Sequence, residues 1–217
     1  MSEDLEGRLK AILRGSPKLT RVLRHVRSLA LPDWMVFSGA VYQPVLNHVT
    51  GRPVDHGLKD FDVGYFDASD LSYEAEDVVI RRAAAFDPDL APIVEVRNHA
   101  RVHLWFAQKF GAEEPYGPLS CSAEALTRFV SATFAVAIRL EDDDALTVMA
   151  PFGLSDLFAL RLRSNPWRPS HLFARTAASV RARWPEVLVE NGRAPRLRAW
   201  QQEPRVSALE RPLSQLR

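Results

Sequence analysis

Apolar positions at the start of the chain recur at helical spacing. Over residues 2–14, Leu5, Leu9, Ile12 and Leu13 fall among charged residues, and Gly15 stops the pattern. A second helix is predicted after Ser16-Pro17, a cap followed by proline at the first helical position, and it carries Leu19, Val22, Leu23, Val26 and Leu29. Its Arg21, Arg24 and Arg27 read as a hydrated face. Past Pro32 the period changes, because Trp34, Met35, Val36 and Phe37 make a short continuous apolar run, the signature of a strand covered on both sides. Ser38-Gly39-Ala40 then leads into a helix expected over 41–49.

The segment LKDFDVGYFD (58–67) alternates with a period of two, which puts Asp60 and Asp62 on one strand face and Phe61, Val63 and Tyr65 on the other. The same alternation sends Lys59 to the face opposite the aspartates. A helix over 73–85 follows, capped by Ser69 or Ser72, with acids in its first turns where the helix dipole favours them. PIVEVRN predicts a third strand that holds Glu95 among β-branched residues, inside the sheet. NHARVHLWFAQKFG predicts a helix closed by Gly111, with Leu104, Trp105 and Phe106 in the core. SAEALTRFV predicts a short helix, and strands over 133–140 and 145–149 form a hairpin around the acidic turn 141–144. A brief helix near Ser155 and an amphipathic helix over 170–184 complete a domain expected over 1–190, of which 1–30 is the helical N-terminal part. The arginine-, proline- and glutamine-rich segment 191–217 is expected to be a flexible basic tail.

Composition acts mainly by exclusion. With 28 basic and 27 acidic residues the formal charge is +1, so no global field recruits nucleic acid or a membrane. A single cysteine, Cys121, rules out an internal disulfide framework and a thiolate zinc cluster. No apolar run is long enough to span a bilayer, and the acidic start MSEDLEG lacks the parts of a signal peptide, so a cytoplasmic location is the expectation. Neither GxxxxGK[ST] nor GxGxxG occurs, so nucleotide handling requires another design.

Such a design is present in outline. Two carboxylates side by side on a strand repel each other, and a hard divalent cation such as Mg²⁺ or Mn²⁺ is their natural counter-ion. The Ser38-Gly39 turn, placed between a strand and a helix start, offers backbone N–H groups to a phosphate. Glu95, a carboxylate in a strand, calls for a partner or a metal, and Arg97 two residues on is the bland partner.

The order strand, Ser-Gly, helix, Asp-Phe-Asp strand, helix, acid-bearing strand resembles the DNA polymerase beta-type nucleotidyltransferase superfamily. The blocks SGAVYQPVLN, LKDFDVGYFDASDLSYEAEDVVIRR, VEVRNHARVHLWF and APFGLSDLFALRLRSNP are similar to those of a bacterial nucleotidyltransferase-like family, and the likeness runs from about 29 to 187. The resemblance implies an α+β fold, a mixed sheet flanked by helices, with N-terminal helices and a C-terminal helical segment. It matches Asp60, Asp62 and Glu95 to the catalytic and metal-binding acids, with Mg²⁺ or Mn²⁺ as cofactor. Ser38 and Gly39 match the motif that holds the triphosphate, while Arg97, Asn98 and Arg101 are candidate nucleotide contacts by charge and proximity. Ala40, Leu46 and His99 depart from the pattern. The implied activity moves an NMP group from a nucleoside triphosphate to an acceptor that is a small molecule, a protein or RNA. The alternatives are a catalytically silent nucleotide-binding regulator and a toxin–antitoxin-type interaction protein on the same fold.

Overall fold

The computed structural model describes residues 4–111 and 116–190. The first helix, α1 (Leu5–Arg14), starts where the Asp4 carboxylate accepts the Gly7 N–H at 2.8 Å. In the second, α2 (Pro17–Ser28), the Ser16 hydroxyl accepts the Leu19 N–H at 3.1 Å and proline occupies the first turn, as the sequence predicts. Leu9, Leu13, Leu19, Val22, Leu23 and Val26 deliver both apolar stripes to the main core. Arg21 and Arg27 turn out to be tethers: Arg21 pairs with Asp87 and Asp89, and Arg27 grips Glu141 O and the Asp144 carboxylate.

Five strands, β1 (Met35–Phe37), β2 (Phe61–Tyr65), β3 (Val94–Asn98), β4 (Ala137–Leu140) and β5 (Leu146–Met149), form one mixed sheet in the order β3-β2-β1-β4-β5. β2 and β3 run parallel, so the chain crosses between them through a helix, α4 (Tyr73–Phe86); the remaining neighbours are antiparallel. β3 is therefore an edge strand, and Glu95 is exposed on it. This corrects the interior position read from its β-branched neighbours, because among the described residues no strand pairs with its far side.

Helix α3 (Gly39–Val49) begins two residues earlier than expected, directly after Ser38. A 3₁₀ turn (His99–Arg101) precedes α5 (Val102–Phe110), and a second one (Ala123–Arg128) stands where a short helix is predicted. The C-terminal part holds α6 (Ser155–Phe158), β6 (Arg161–Arg163), α7 (Leu172–Arg183) and β7 (Leu188–Glu190), with β6 and β7 paired in parallel, a two-stranded ribbon that local periodicity does not announce. Trp184 is fully buried and donates its indole N–H to Asn47 Oδ1 at 2.9 Å. The Asn47 amide donates in turn to Val54 O and His56 O, so this one side chain ties the end of α7 and the loop before β2 to α3. The basic tail expected over 191–217 lies outside the described residues.

The two faces of the sheet are covered differently. Val36, Phe61, Val63, Tyr65, Val96 and Ile138 enter the main core. Register puts Met35, Phe37, Asp62, Gly64, Glu95 and Ala137 on the opposite face. There a smaller cluster of Met35, Leu119, Ala125, Leu126, Ala135 and Ala137 covers only part of the surface, and the rest is concave. α5 borders this concavity. Leu104, expected in the core, is 56% exposed, and Trp105 and Phe106 line the concavity.

Candidate active site

Asp62 sits at the centre of that open face. Its strand neighbours in register are Phe37 on one side and Glu95 on the other. The Ser38 side chain hydrogen-bonds to the Asp62 carboxyl. Ser38 itself holds φ 61 and ψ −137, a conformation that glycine tolerates and other residues adopt only under strain. Strain of this kind persists where the surroundings enforce it, here a strand that must turn within one residue into α3. Gly39 follows, and a Cβ there would lie 2.5 Å from the Gln43 amide nitrogen, so the missing side chain is what lets Gln43 pack against the helix start. Gly64 does the same for His99, whose ring would be 2.1 Å from an added Cβ.

Burial pushes the Asp62 carboxyl up to about 6; the Ser38 hydrogen bond opposes this, the charges of Asp60 and Glu95 add to it, and Arg97 opposes it. The three predicted acids are thus close enough to feel one another. Asp62 is half-buried, whereas Asp60, just ahead of β2, and Glu95 are exposed. Glu95 pairs with Arg97 at 2.8 Å. Among the described residues, no group of three or more His, Cys, Asp and Glu side chains is arranged so that it holds a metal ion as it stands.

Two concavities meet at Asp62. A polar recess of about 280 Å³ is lined by Ser38, Gly39, Lys59, Asp60, Asp62 and Arg183. Lys59 shares it with the aspartates because regular alternation begins only at Phe61. The larger cavity, about 410 Å³, is lined by Asp62, Glu95 and Arg97 and by a set of aromatic rings. Tyr42 borders both; its ring stacks on Phe134 at 3.7 Å, and its hydroxyl, raised by burial, is hydrogen-bonded to Arg183 and Gln43. His99 lines the large cavity as a neutral ring, pushed down to about 4 by burial, with Phe37 5.2 Å away.

Of the eight residues expected at the site, Ser38, Gly39, Asp60, Asp62, Glu95 and Arg97 line these two concavities, and Asn98 and Arg101 do not. Asn98 is buried on the core side, where its Oδ1 accepts the N–H groups of Asp67 and Ala100 and its amide donates to Asp67 O. Arg101 is ion-paired with Glu76 and donates to Leu71 O. These bonds hold β3 and its following turn to α4. Lys59, Arg183 and Tyr42 were missed as site residues. Arg183 is more than a hundred residues from the aspartates, and no local pattern brings it there.

Carboxylates on adjacent strands thus lie beside a strained Ser-Gly turn that opens a helix. The chain belongs to the nucleotidyltransferase family, which it matches over residues 24–189. In fold it is similar to a protein whose NMR structure reveals a CCA-adding enzyme head domain, with a TM-score of 0.68 and 22% identity, over 85% of this chain and 94% of that one. No match to a curated protein was found. Among the described residues, no helix is long and apolar enough to cross a membrane.

Proposed function

We propose that this chain moves a nucleotidyl group from a nucleoside triphosphate to a hydroxyl-bearing acceptor, with Asp62 at the centre and Mg²⁺ or Mn²⁺ as cofactor. The observation that carries the reading is a half-buried carboxylate with two others near it, where a recess suited to phosphate adjoins a second cavity. The donor set fits such an ion. Asp60, Asp62 and Glu95 offer oxygen only, and their mutual repulsion at Asp62 is relieved by a bound cation. Glu95 must exchange Arg97 for the ion to join them. When bound, the metal polarises the phosphate and favours loss of the acceptor proton.

The chain's own residues divide the remaining work. Backbone N–H groups at Gly39 and the start of α3, with Lys59 and Arg183, hold the anionic triphosphate in the polar recess. Tyr42, fixed by Phe134 and Arg183, forms the wall between the two concavities. Glu95, at the cavity side, accepts the acceptor's proton. The acceptor oxygen forms a bond to the α-phosphorus, the bond from that phosphorus to the bridging oxygen breaks, and pyrophosphate leaves with the electron pair.

The Glu95–Arg97 pair and the lack of a ready three-acid arrangement favour a second reading, a nucleotide-binding regulator that does not turn over. Incubation with ATP, GTP, CTP or UTP and Mg²⁺ or Mn²⁺ in the presence of a cell extract separates the two. Transferase action gives metal-dependent pyrophosphate release, whereas saturable nucleotide binding without release establishes the regulator.

A further inference from the structure

The larger cavity has a chemistry of its own. Phe37, Trp105, Phe106, Tyr116, Phe129 and Phe134 make its wall rich in aromatic rings, and its volume of about 410 Å³ fits a one- or two-ring molecule. Such a wall does not suit a polyphosphate, which the neighbouring recess takes. Two arginines, one from the second 3₁₀ turn and one from the segment before α7, also line it. Arg168 lies over the Phe106 ring at 5.1 Å and donates to Arg128 O at 3.0 Å. Arg128 engages Glu124 through Nη2 at 3.0 Å, while its Nε is buried and has no hydrogen-bond partner. A buried N–H without an acceptor is costly, and Arg128 and Arg168, both in the cavity wall, offer guanidinium groups to an anion there. His99, 4% exposed in the same wall, likewise has an unpartnered ring nitrogen, Nδ1. Asp62 and Glu95, the carboxylates that a reacting hydroxyl must approach, line the same cavity.

We propose that this cavity is the acceptor site and that its substrate is a small hydroxyl-bearing aromatic acid, with its ring among the aromatic side chains, its carboxylate toward Arg128 and its hydroxyl toward Glu95. The assignment rests on the transferase reading above. It adds the class of molecule that receives the nucleotide: the arene oxygen bonds to the α-phosphorus, its proton passes to Glu95 and pyrophosphate departs. Aromatic stacking supplies affinity, and the arginine selects the anion.

The test is binding to the full chain without nucleotide, followed by ligand-observed NMR. The probes are 4-hydroxybenzoate, 4-hydroxyphenylacetate and 6-hydroxy-2-naphthoate, against phenol and 2-naphthol as neutral counterparts and adenosine as a competitor. At least one hydroxy acid binds, its neutral counterpart binds about 10-fold more weakly, and adenosine does not displace it. Arg128→Leu and Trp105→Ala each weaken the acid about 10-fold, while Arg128→Lys restores part of the loss. The comparison of acid with neutral ligand in the unaltered protein stands whatever those variants do to folding. Binding of none of the acids, equal binding of the neutral compounds, or displacement by adenosine, which would assign the cavity to the nucleobase, overturns the proposal. The two readings fail separately: pyrophosphate release to another acceptor without arene binding contradicts the aromatic acceptor alone, whereas arene binding with no pyrophosphate release contradicts the transferase.

Discussion

On the helix-covered face of the sheet the buried carboxylate of Glu76 has both oxygens engaged, one by the Asn98 N–H at 2.7 Å and the other by Arg101. On the open face Asp62 is held by Ser38 and pressed by two like charges, and buried nitrogens of His99 and Arg128 have no hydrogen-bond partner. Burying a polar group is costly in either place. At Glu76 the cost is met within the protein, which makes that network structural. At Asp62 the repulsion is left for a bound cation to relieve.

Breaking the closed network tests one side of that contrast and has the largest expected effect on stability. Glu76→Ala strands Arg101 and the Asn98 N–H in the interior, and chemical denaturation will show a loss of about 3–5 kcal/mol. Gly64→Ala acts on the open face through shape. The new Cβ collides with the His99 ring, and displacement of that ring costs about 1–3 kcal/mol and alters the cavity, visible as a shifted His99 imidazole resonance.

Asp62→Asn has the opposite sign. The fold favours protonated Asp62, so its contribution to stability is complete below the unfolded value of 3.8 and is lost as pH rises through about 6. Asparagine carries no charge at any of these pH values. The variant therefore matches the parent near pH 4 and exceeds it by about 1–3 kcal/mol above pH 6, measured without added metal. His99 works against this in the parent. Its folded value of about 4 lies below the ordinary 6.5, so stability present above 6.5 is lost as pH falls toward 4. The difference between variant and parent cancels that background. Ser38→Gly gives the smallest change, since relief of about 1–2 kcal/mol of backbone strain is offset by loss of the hydrogen bond to Asp62. Its signature is spectroscopic: the Asp62 carboxyl titrates above its parent value.

Local pattern carried much of this fold. Apolar spacing and the Ser16-Pro17 cap placed α1 and α2, and alternation placed β2 with Asp62 turned away from the core residues Phe61 and Val63. What escaped depends on partners far along the chain. β3 reads as interior until the strand order puts it at the edge, and β-branched residues are the same evidence in either place. Asn98 and Arg101 have the polarity and location of ligands, yet the Asn98 side chain is held by Asp67 and Ala100, and Arg101 by Glu76, more than twenty residues back. Trp105 and Phe106 carry the composition of a core helix, and only the tertiary arrangement turns them to an open cavity. Arg128 and Arg183 reach the two concavities from separate segments far along the chain from the aspartates, beyond the range of any periodicity.

The central claim is that Asp62 is the hub of metal-dependent nucleotidyl transfer, and label transfer tests it most directly. Parent protein and folded Asp62→Asn are incubated with each α-labelled nucleoside triphosphate, Mg²⁺ or Mn²⁺ and a cell extract. The account predicts metal-dependent labelling of an acceptor by the parent and a loss of about 10³-fold or more in the variant. Equal labelling by the two proteins, or nucleotide binding by the parent with no label transferred, contradicts it.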